Sequence, residues 1–150
     1  MQNFLVLLPI LILAILESSI IPLNLVLLAI ICWSVFRPAR EGILTAFFAG
    51  LILDFLSGET LGFSSILFLV LSLLIYLYKN RFQANKLTFL LPFTLFSLIM
   101  IDLLEGFPVF SVKTVIIEGV NTILVIFLFP IFNFLAKLIG EEEVKLKIEG

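Results

Sequence analysis

Six apolar runs follow one another along the chain, separated by short breaks that carry charge, glycine or proline. The runs are Phe4–Leu16, Leu23–Phe36, Ile43–Leu56, Leu61–Tyr78, Leu87–Leu104 and Val112–Ile139. Because long apolar runs predict membrane-spanning helices, we expect an all-α polytopic integral membrane protein with six transmembrane helices. Residues 1–139 then form a single transmembrane domain, and residues 140–150 form a short charged tail.

Two of the runs are short for a membrane span. At about 1.5 Å per residue, Leu23–Phe36 and Ile43–Leu56 cover only about 21 Å of a hydrocarbon core of about 30 Å. Flanking residues or a locally thinner bilayer would make up the difference, and a re-entrant hairpin stays open as an alternative. Pro130 lies inside the last run, where it either kinks the helix or is accommodated by neighbouring helices.

The basic residues fall almost entirely on one side of the predicted membrane. Those that follow an even-numbered run are Arg37, Arg40, Lys79, Arg81, Lys86, Lys137, Lys145 and Lys147. Only Lys113 falls on the other side. Since positively charged loops stay in the cytoplasm, we expect both termini to be cytoplasmic. Glu17, Glu59 and Glu105 should then lie in turns on the outer side.

Composition supports the membrane class and excludes several chemistries. Hydrophobic residues make up 62% of the chain, charged residues 13%, and the mean hydropathy is +1.29. The lack of histidine excludes imidazole catalysis and histidine metal ligands, and Cys32 has no second cysteine to pair with. The sequence has no basic stripe for nucleic acid and no nucleophile–base pair. We therefore expect no enzymatic activity, no catalytic residue, no cofactor and no metal.

Small residues recur every four positions around the third run and form a stripe along one face of a helix. The stripe consists of Gly42, Ala46, Gly50, Asp54 and Gly58. Such stripes let transmembrane helices approach closely, and an acid within one is a candidate functional residue because it is costly in lipid. We expect Asp54 to face the helix bundle and to bind a partner or cap a nearby loop, rather than to carry protons.

Two further acids, Asp102 and Glu118, lie near the outer ends of their runs. One hypothesis joins them with Asp54 in an outward-facing polar cluster suited to a cationic ligand. The alternative, which we favour, places each acid at the level of the lipid headgroups, in contact with water or Lys113.

The stretch Gly50–Phe68, GLILDFLSGETLGFSSILF, resembles the signature of the rod shape-determining protein MreD family. The shared pattern is a glycine, an acid four residues later, a short polar turn, and then Leu-Gly opening the next helix. Pro9, the pair Arg37-Pro38, the chain length and the six-run layout are also similar. Of the family pattern, this chain has Gly50, Asp54, Leu61 and Gly62. Together with the stripe, these residues are the candidates for partner binding or helix packing.

The resemblance implies a non-enzymatic scaffold of the bacterial cell-elongation machinery, multi-pass in the inner membrane. MreD-like proteins bind the bitopic protein MreC and, through it, an MreB-like filament, a RodA-like glycan polymerase and its transpeptidase. They thereby maintain rod shape and lateral peptidoglycan synthesis. Membrane lipids and a second copy of the chain are further partners that the sequence allows.

An alternative function is that of a substrate-capturing S component of an energy-coupling-factor solute transporter, whose architecture is similar. S components usually carry their small-residue patch on the first helix, whereas here the first run has only Ala14 and the stripe is on the third. This difference favours the scaffold.

Overall fold

The residues that the structure describes form six α-helices, as the pattern of apolar runs predicts. The computed structural model describes residues 4–19, 23–58, 60–79, 81, 87–106 and 111–149, with only the backbone described at residues 4, 87 and 141–149. The helices are α1 Phe4–Ser19, α2 Leu25–Phe36, α3 Ala39–Ser57, α4 Phe63–Lys79, α5 Leu87–Glu105 and α6 Val112–Glu149. These described ranges contain no strand, which confirms the all-α prediction.

Several helix boundaries differ from the predicted ones. Glu17 and Glu105, expected in turns, lie inside the last turns of α1 and α5, and Glu59 lies outside the described residues. Helix α3 begins four residues before the third run, because charged residues occupy its first turn and the acid among them, Glu41, is favourable at a helix N-terminus.

The last helix extends well beyond the predicted span. Helix α6 passes through Pro130 without interruption and continues to Glu149, past the point at which a separate tail was predicted to begin. At about 1.5 Å per residue, its 38 residues make a rod of about 57 Å, nearly twice the thickness of a hydrocarbon core. The segment after residue 139 is therefore a continuation of the helix.

Helix α2 is the centre of the bundle. Each of the other five helices packs against it, and every residue from Leu25 to Val35 is buried. A helix that is apolar on all sides is expected to be enclosed in this way. The short second run therefore belongs to a helix that is surrounded by protein.

The helices alternate in direction, and the two ends of the bundle differ in charge. The ends of α1, α3 and α5 meet the starts of α2, α4 and α6 around two cavities lined by Glu17, Asp102, Glu105 and Glu118. We call this the acidic end. At the opposite, basic end, Arg37 and Lys79 lie between α2, α4 and α6. The separation of charges agrees with the predicted up-and-down arrangement.

Among the helices that the structure describes, only α5 and α6 are both long and apolar enough to cross a membrane by length and composition alone, over Thr88–Glu105 and Val112–Gly140. The apolar helices at Leu5–Ser19, Leu25–Phe36 and Phe63–Lys79 are shorter. The number of spans, their sidedness and the cytoplasmic location of the termini stay predictions.

Candidate functional site

Asp54 caps the start of α4 from the end of α3. Its Oδ2 accepts a hydrogen bond from the Gly62 backbone N–H at 2.7 Å, and its Oδ1 accepts one from the Ser64 N–H at 3.1 Å. The first N–H groups of a helix have no partner within the helix, and a carboxylate is favourable beside them. Asp54 is only 1% exposed, which confirms that it faces the bundle. The acid thus fixes the turn between α3 and α4.

Gly50 is the point of closest approach between these two helices. A Cβ atom at this position would lie 2.5 Å from the Ser65 backbone nitrogen and 2.8 Å from the Ser64 carbonyl carbon. Only glycine fits without moving α4, because the opposing atoms belong to its backbone. The Ser65 hydroxyl donates to the Phe47 carbonyl at 3.1 Å across the same contact. The glycine–acid spacing of four residues therefore places the close contact one turn before the cap.

Two further residues of the stripe, Gly42 and Ala46, also pack inside the chain, whereas Gly58 is exposed. Ala46 is fully buried, and Gly42 lies directly beneath the Tyr76 side chain of α4. The helix that packs against Gly42, Ala46, Gly50 and Asp54 is therefore α4 of the same chain. A helix of another protein would have to displace α4 to reach them.

The candidate residues of the turn, Gly58 from the stripe and Leu61 and Gly62 from the family pattern, have different environments. Gly58 ends α3 in the left-handed conformation, and Leu61 is 71% exposed. Gly62 has φ of +99°, which a residue with a side chain rarely adopts, and this conformation directs its N–H to Asp54. Gly62 thus belongs to the cap, whereas Leu61 is available on the surface.

At the basic end of the bundle, side chains of α4 donate hydrogen bonds to the carbonyl groups of Arg37 and Pro38, just before α3. Tyr76 donates its hydroxyl hydrogen to these carbonyls, at 3.3 and 3.4 Å, and Lys79 Nζ donates to the Arg37 carbonyl at 3.2 Å. Arg37 itself pairs with Glu41 at 2.7 Å and lies over the Trp33 ring at 5.6 Å. The Arg-Pro pair is thus part of the joint between α2, α3 and α4.

Asp102 and Glu118 form a second polar cluster, in which Asp54 takes no part. Their carboxyl groups lie close enough to interact across the contact between α5 and α6, and both line a cavity of about 330 Å³. Asp54 lines neither cavity at the acidic end, because its oxygens face the α4 backbone. The predicted three-acid cluster is wrong in this respect.

Both cavity-lining acids are at least nine-tenths buried, at 8% and 7% exposure. Lys113 lines the same cavity as both acids. Their position at the level of the lipid headgroups, in contact with water or Lys113, stays a prediction. Within the described part of the chain, no group of three or more acidic, cysteine or histidine residues has an arrangement that could hold a metal ion.

Comparison with protein families agrees with this geometry. The sequence model of the rod shape-determining protein MreD matches residues 3–139. The chain is a member of the MreD family. The match covers all six apolar runs, so it extends far beyond the signature turn. Comparisons with curated proteins and with solved structures gave no significant match.

Membership of the MreD family assigns the chain a role in rod shape determination. MreD is a shape-determining, membrane-associated family and not a known enzyme family, and the apolar helices of this chain are consistent with a membrane protein. In this MreD-family chain, the signature glycine and acid build the joint between α3 and α4.

Sequence reasoning missed three residues that take part in helix contacts, namely Ser64, Ser65 and Glu17. Ser64 and Ser65 provide the backbone against which Asp54 and Gly50 pack, and the Leu-Gly-Phe-Ser-Ser pattern at the start of α4 is compatible with such a cap. Glu17 accepts a hydrogen bond from the Val26 N–H at 2.8 Å, which joins α1 to α2. No local pattern marks this contact, because the two residues are brought together only by the fold.

Proposed function

We propose that this chain is a non-enzymatic scaffold of the cell-elongation machinery in the bacterial inner membrane. It binds the transmembrane helix of an MreC-like bitopic protein and is thereby connected to an MreB-like filament, a RodA-like polymerase and its transpeptidase. The observation that carries this proposal is the family match over residues 3–139. The buried signature supports a structural use of its glycine–acid spacing, since Gly50 and Asp54 hold α3 and α4 together.

The docking surface proposed for the partner helix is the outward face of α6 around Gly119. Because the stripe on α3 is covered by α4, the partner must bind at a surface that the chain leaves open. Apart from the adjacent residues and the nearby backbone of α6 itself, no atom of the described residues lies within 4 Å of the position that a Gly119 Cβ would take. The neighbouring side chains Val115, Ile116 and Ile123 are exposed.

The presence of glycine at this position needs a reason from outside the chain. Glycine within a helix is less favourable than alanine by about 0.5–1 kcal/mol, and no internal contact of Gly119 requires it. Close approach of a second helix would require glycine here, since small residues allow helix backbones to meet in lipid. The partner that the family resemblance implies brings one such helix.

The test is co-purification of a tagged copy from its own membranes, followed by mass spectrometry of the recovered proteins. We expect an MreC-like protein together with wall-synthesis enzymes. Gly119→Leu should reduce this recovery, whereas Val70→Phe, which adds bulk at an exposed position of α4, should leave it unchanged.

Two results would contradict the proposal at different levels. Recovery of an ATPase module with a coupling membrane protein, in place of an MreC-like protein, would refute the scaffold and support the solute-transport alternative. Full recovery of the MreC-like protein with Gly119→Leu would retain the scaffold but refute the α6 docking face.

A further inference from the structure

The cavity between α5 and α6 at the acidic end has walls of both charges. Its volume is about 330 Å³, and its polar lining residues are Asn24, Asp102, Glu105, Lys113, Thr114 and Glu118. Lys113 is exposed, lies in the first turn of α6 and makes no ion pair within the described residues. The acids Asp102 and Glu118 lie deeper. A ligand that enters from the end of the bundle meets the cation first and the carboxyl groups afterwards.

Buried polar atoms at the deep wall lack hydrogen-bond partners. Within the described part of the chain, Asp102 Oδ2 and Glu118 Oε2 are buried without one. Asn121, one turn further along α6, is fully buried behind the cavity and interacts with Glu118 through its side chain. Buried polar groups in folded proteins are nearly always satisfied, and an unsatisfied carboxylate is especially costly. The two carboxyl groups interact with each other, and Glu118 also interacts with Asn121. Asp102 Oδ2 and Glu118 Oε2 are the positions left for an added donor.

The order of charges along the cavity matches a zwitterion. An ammonium group supplies three N–H donors and a positive charge, which suits the two carboxyl groups, and a phosphate suits Lys113. On α6, Lys113 precedes Glu118 by five residues, or about 7.5 Å along the helix axis, so the two charges of the ligand must be joined by a short linker. Phosphoethanolamine has this form.

We propose that this cavity binds a phosphoethanolamine headgroup, with its ammonium between Asp102 and Glu118 and its phosphate at Lys113. The source favoured by the surroundings is a membrane lipid, phosphatidylethanolamine. The surface beside the cavity is apolar and exposed at Leu103 and Leu104 of α5, where the acyl chains of a lipid would lie. Free phosphoethanolamine offers the same chemistry without this contact.

A choline headgroup distinguishes hydrogen bonding from charge alone. Its trimethylammonium has the same charge as an ethanolamine ammonium but no N–H donor, so it leaves the buried carboxylate oxygens unsatisfied. Phosphatidylglycerol retains the phosphate and lacks the cation. The structure therefore favours phosphatidylethanolamine over both.

The experiment is native mass spectrometry of the purified full chain, released from vesicles of equal parts phosphatidylethanolamine, phosphatidylcholine and phosphatidylglycerol. We expect the phosphatidylethanolamine adduct to be enriched severalfold. The double variant Asp102→Asn, Glu118→Gln should reduce it at least about tenfold, the effect of losing charge-assisted hydrogen bonds. Glu17→Gln is the matched control, because it removes an acid at the same end that does not line this cavity.

Equal adducts of the three lipids, or an ethanolamine preference that survives the double substitution, would overturn the proposal. An adduct unaffected by Lys113→Gln would overturn the assignment of the phosphate. Binding of free phosphoethanolamine in lipid-free detergent, lost in the double variant, would support the site and identify a soluble source. The readout requires no protein partner, so it is independent of the scaffold function. Thermal melting in detergent confirms that each variant is folded.

Discussion

Replacing Asp54 by alanine should destabilise the fold strongly. The side chain accepts two backbone N–H groups at the start of α4 and is buried. A hydrogen bond to a charged group contributes about 1.5–3 kcal/mol. Part of the loss is offset, because the desolvation penalty of the buried carboxylate disappears with it. We therefore expect Asp54→Ala to lower the free energy of unfolding by about 2–4 kcal/mol.

Two further variants should reduce the stability less than Asp54→Ala does. Asp54→Asn keeps one acceptor oxygen but turns an N–H₂ group towards the other donor, so about half of the loss is expected. Ser64→Ala removes the hydroxyl and leaves the backbone N–H that donates to Asp54, so its effect should stay within about 0.5 kcal/mol. Unfolding in mixed detergent micelles, followed by far-ultraviolet circular dichroism, measures all three. Equal stabilities of Asp54→Ala and the wild type would refute the capping role.

Two other predictions follow from the helix contacts and the charge distribution. Gly50→Ala should lower the free energy of unfolding by about 1–3 kcal/mol, because its Cβ would overlap the Ser65 backbone. Gly119→Ala should raise it by about 0.5–1 kcal/mol, because the surroundings of Gly119 are open. The same micelle unfolding assay compares them, and a change in the same direction for both variants would contradict this prediction. Reporter fusions within residues 79–86 should report a cytoplasmic location; a periplasmic signal there would reverse the predicted topology.

The helices could be predicted because each apolar run corresponds to one helix. The ends of the helices were harder to predict, since a polar residue does not by itself end a helix. Glu17 remains in α1 because its carboxylate is used by the Val26 N–H of the next helix. Helix α6 continues past residue 139 because its charged residues extend the helix as readily as apolar ones.

Only those features of the candidate site that depend on the spacing of residues within one helix could be predicted. The four-residue spacing correctly placed Gly50 and Asp54 on a packed face, but it could not identify α4 as the helix that covers this face. Asp54, Asp102 and Glu118 share a level along the bundle, which the run boundaries indicate. Whether acids at one level meet depends on which helices are neighbours, and this is why only Asp102 and Glu118 do.

The enclosure of α2 has a consequence for biogenesis. During synthesis, α2 leaves the ribosome well before α6, which forms part of its shell. Trp33 meets Phe132 with ring centroids 6.4 Å apart, and Phe36 meets Phe129 at 4.9 Å. Until those residues are translated, this side of α2 faces lipid or the insertion machinery, and a hydrophobic length of only about 18 Å anchors it poorly. Synthesis of α6 therefore acts as a checkpoint, and a product truncated before α6 should be an early substrate for membrane proteases.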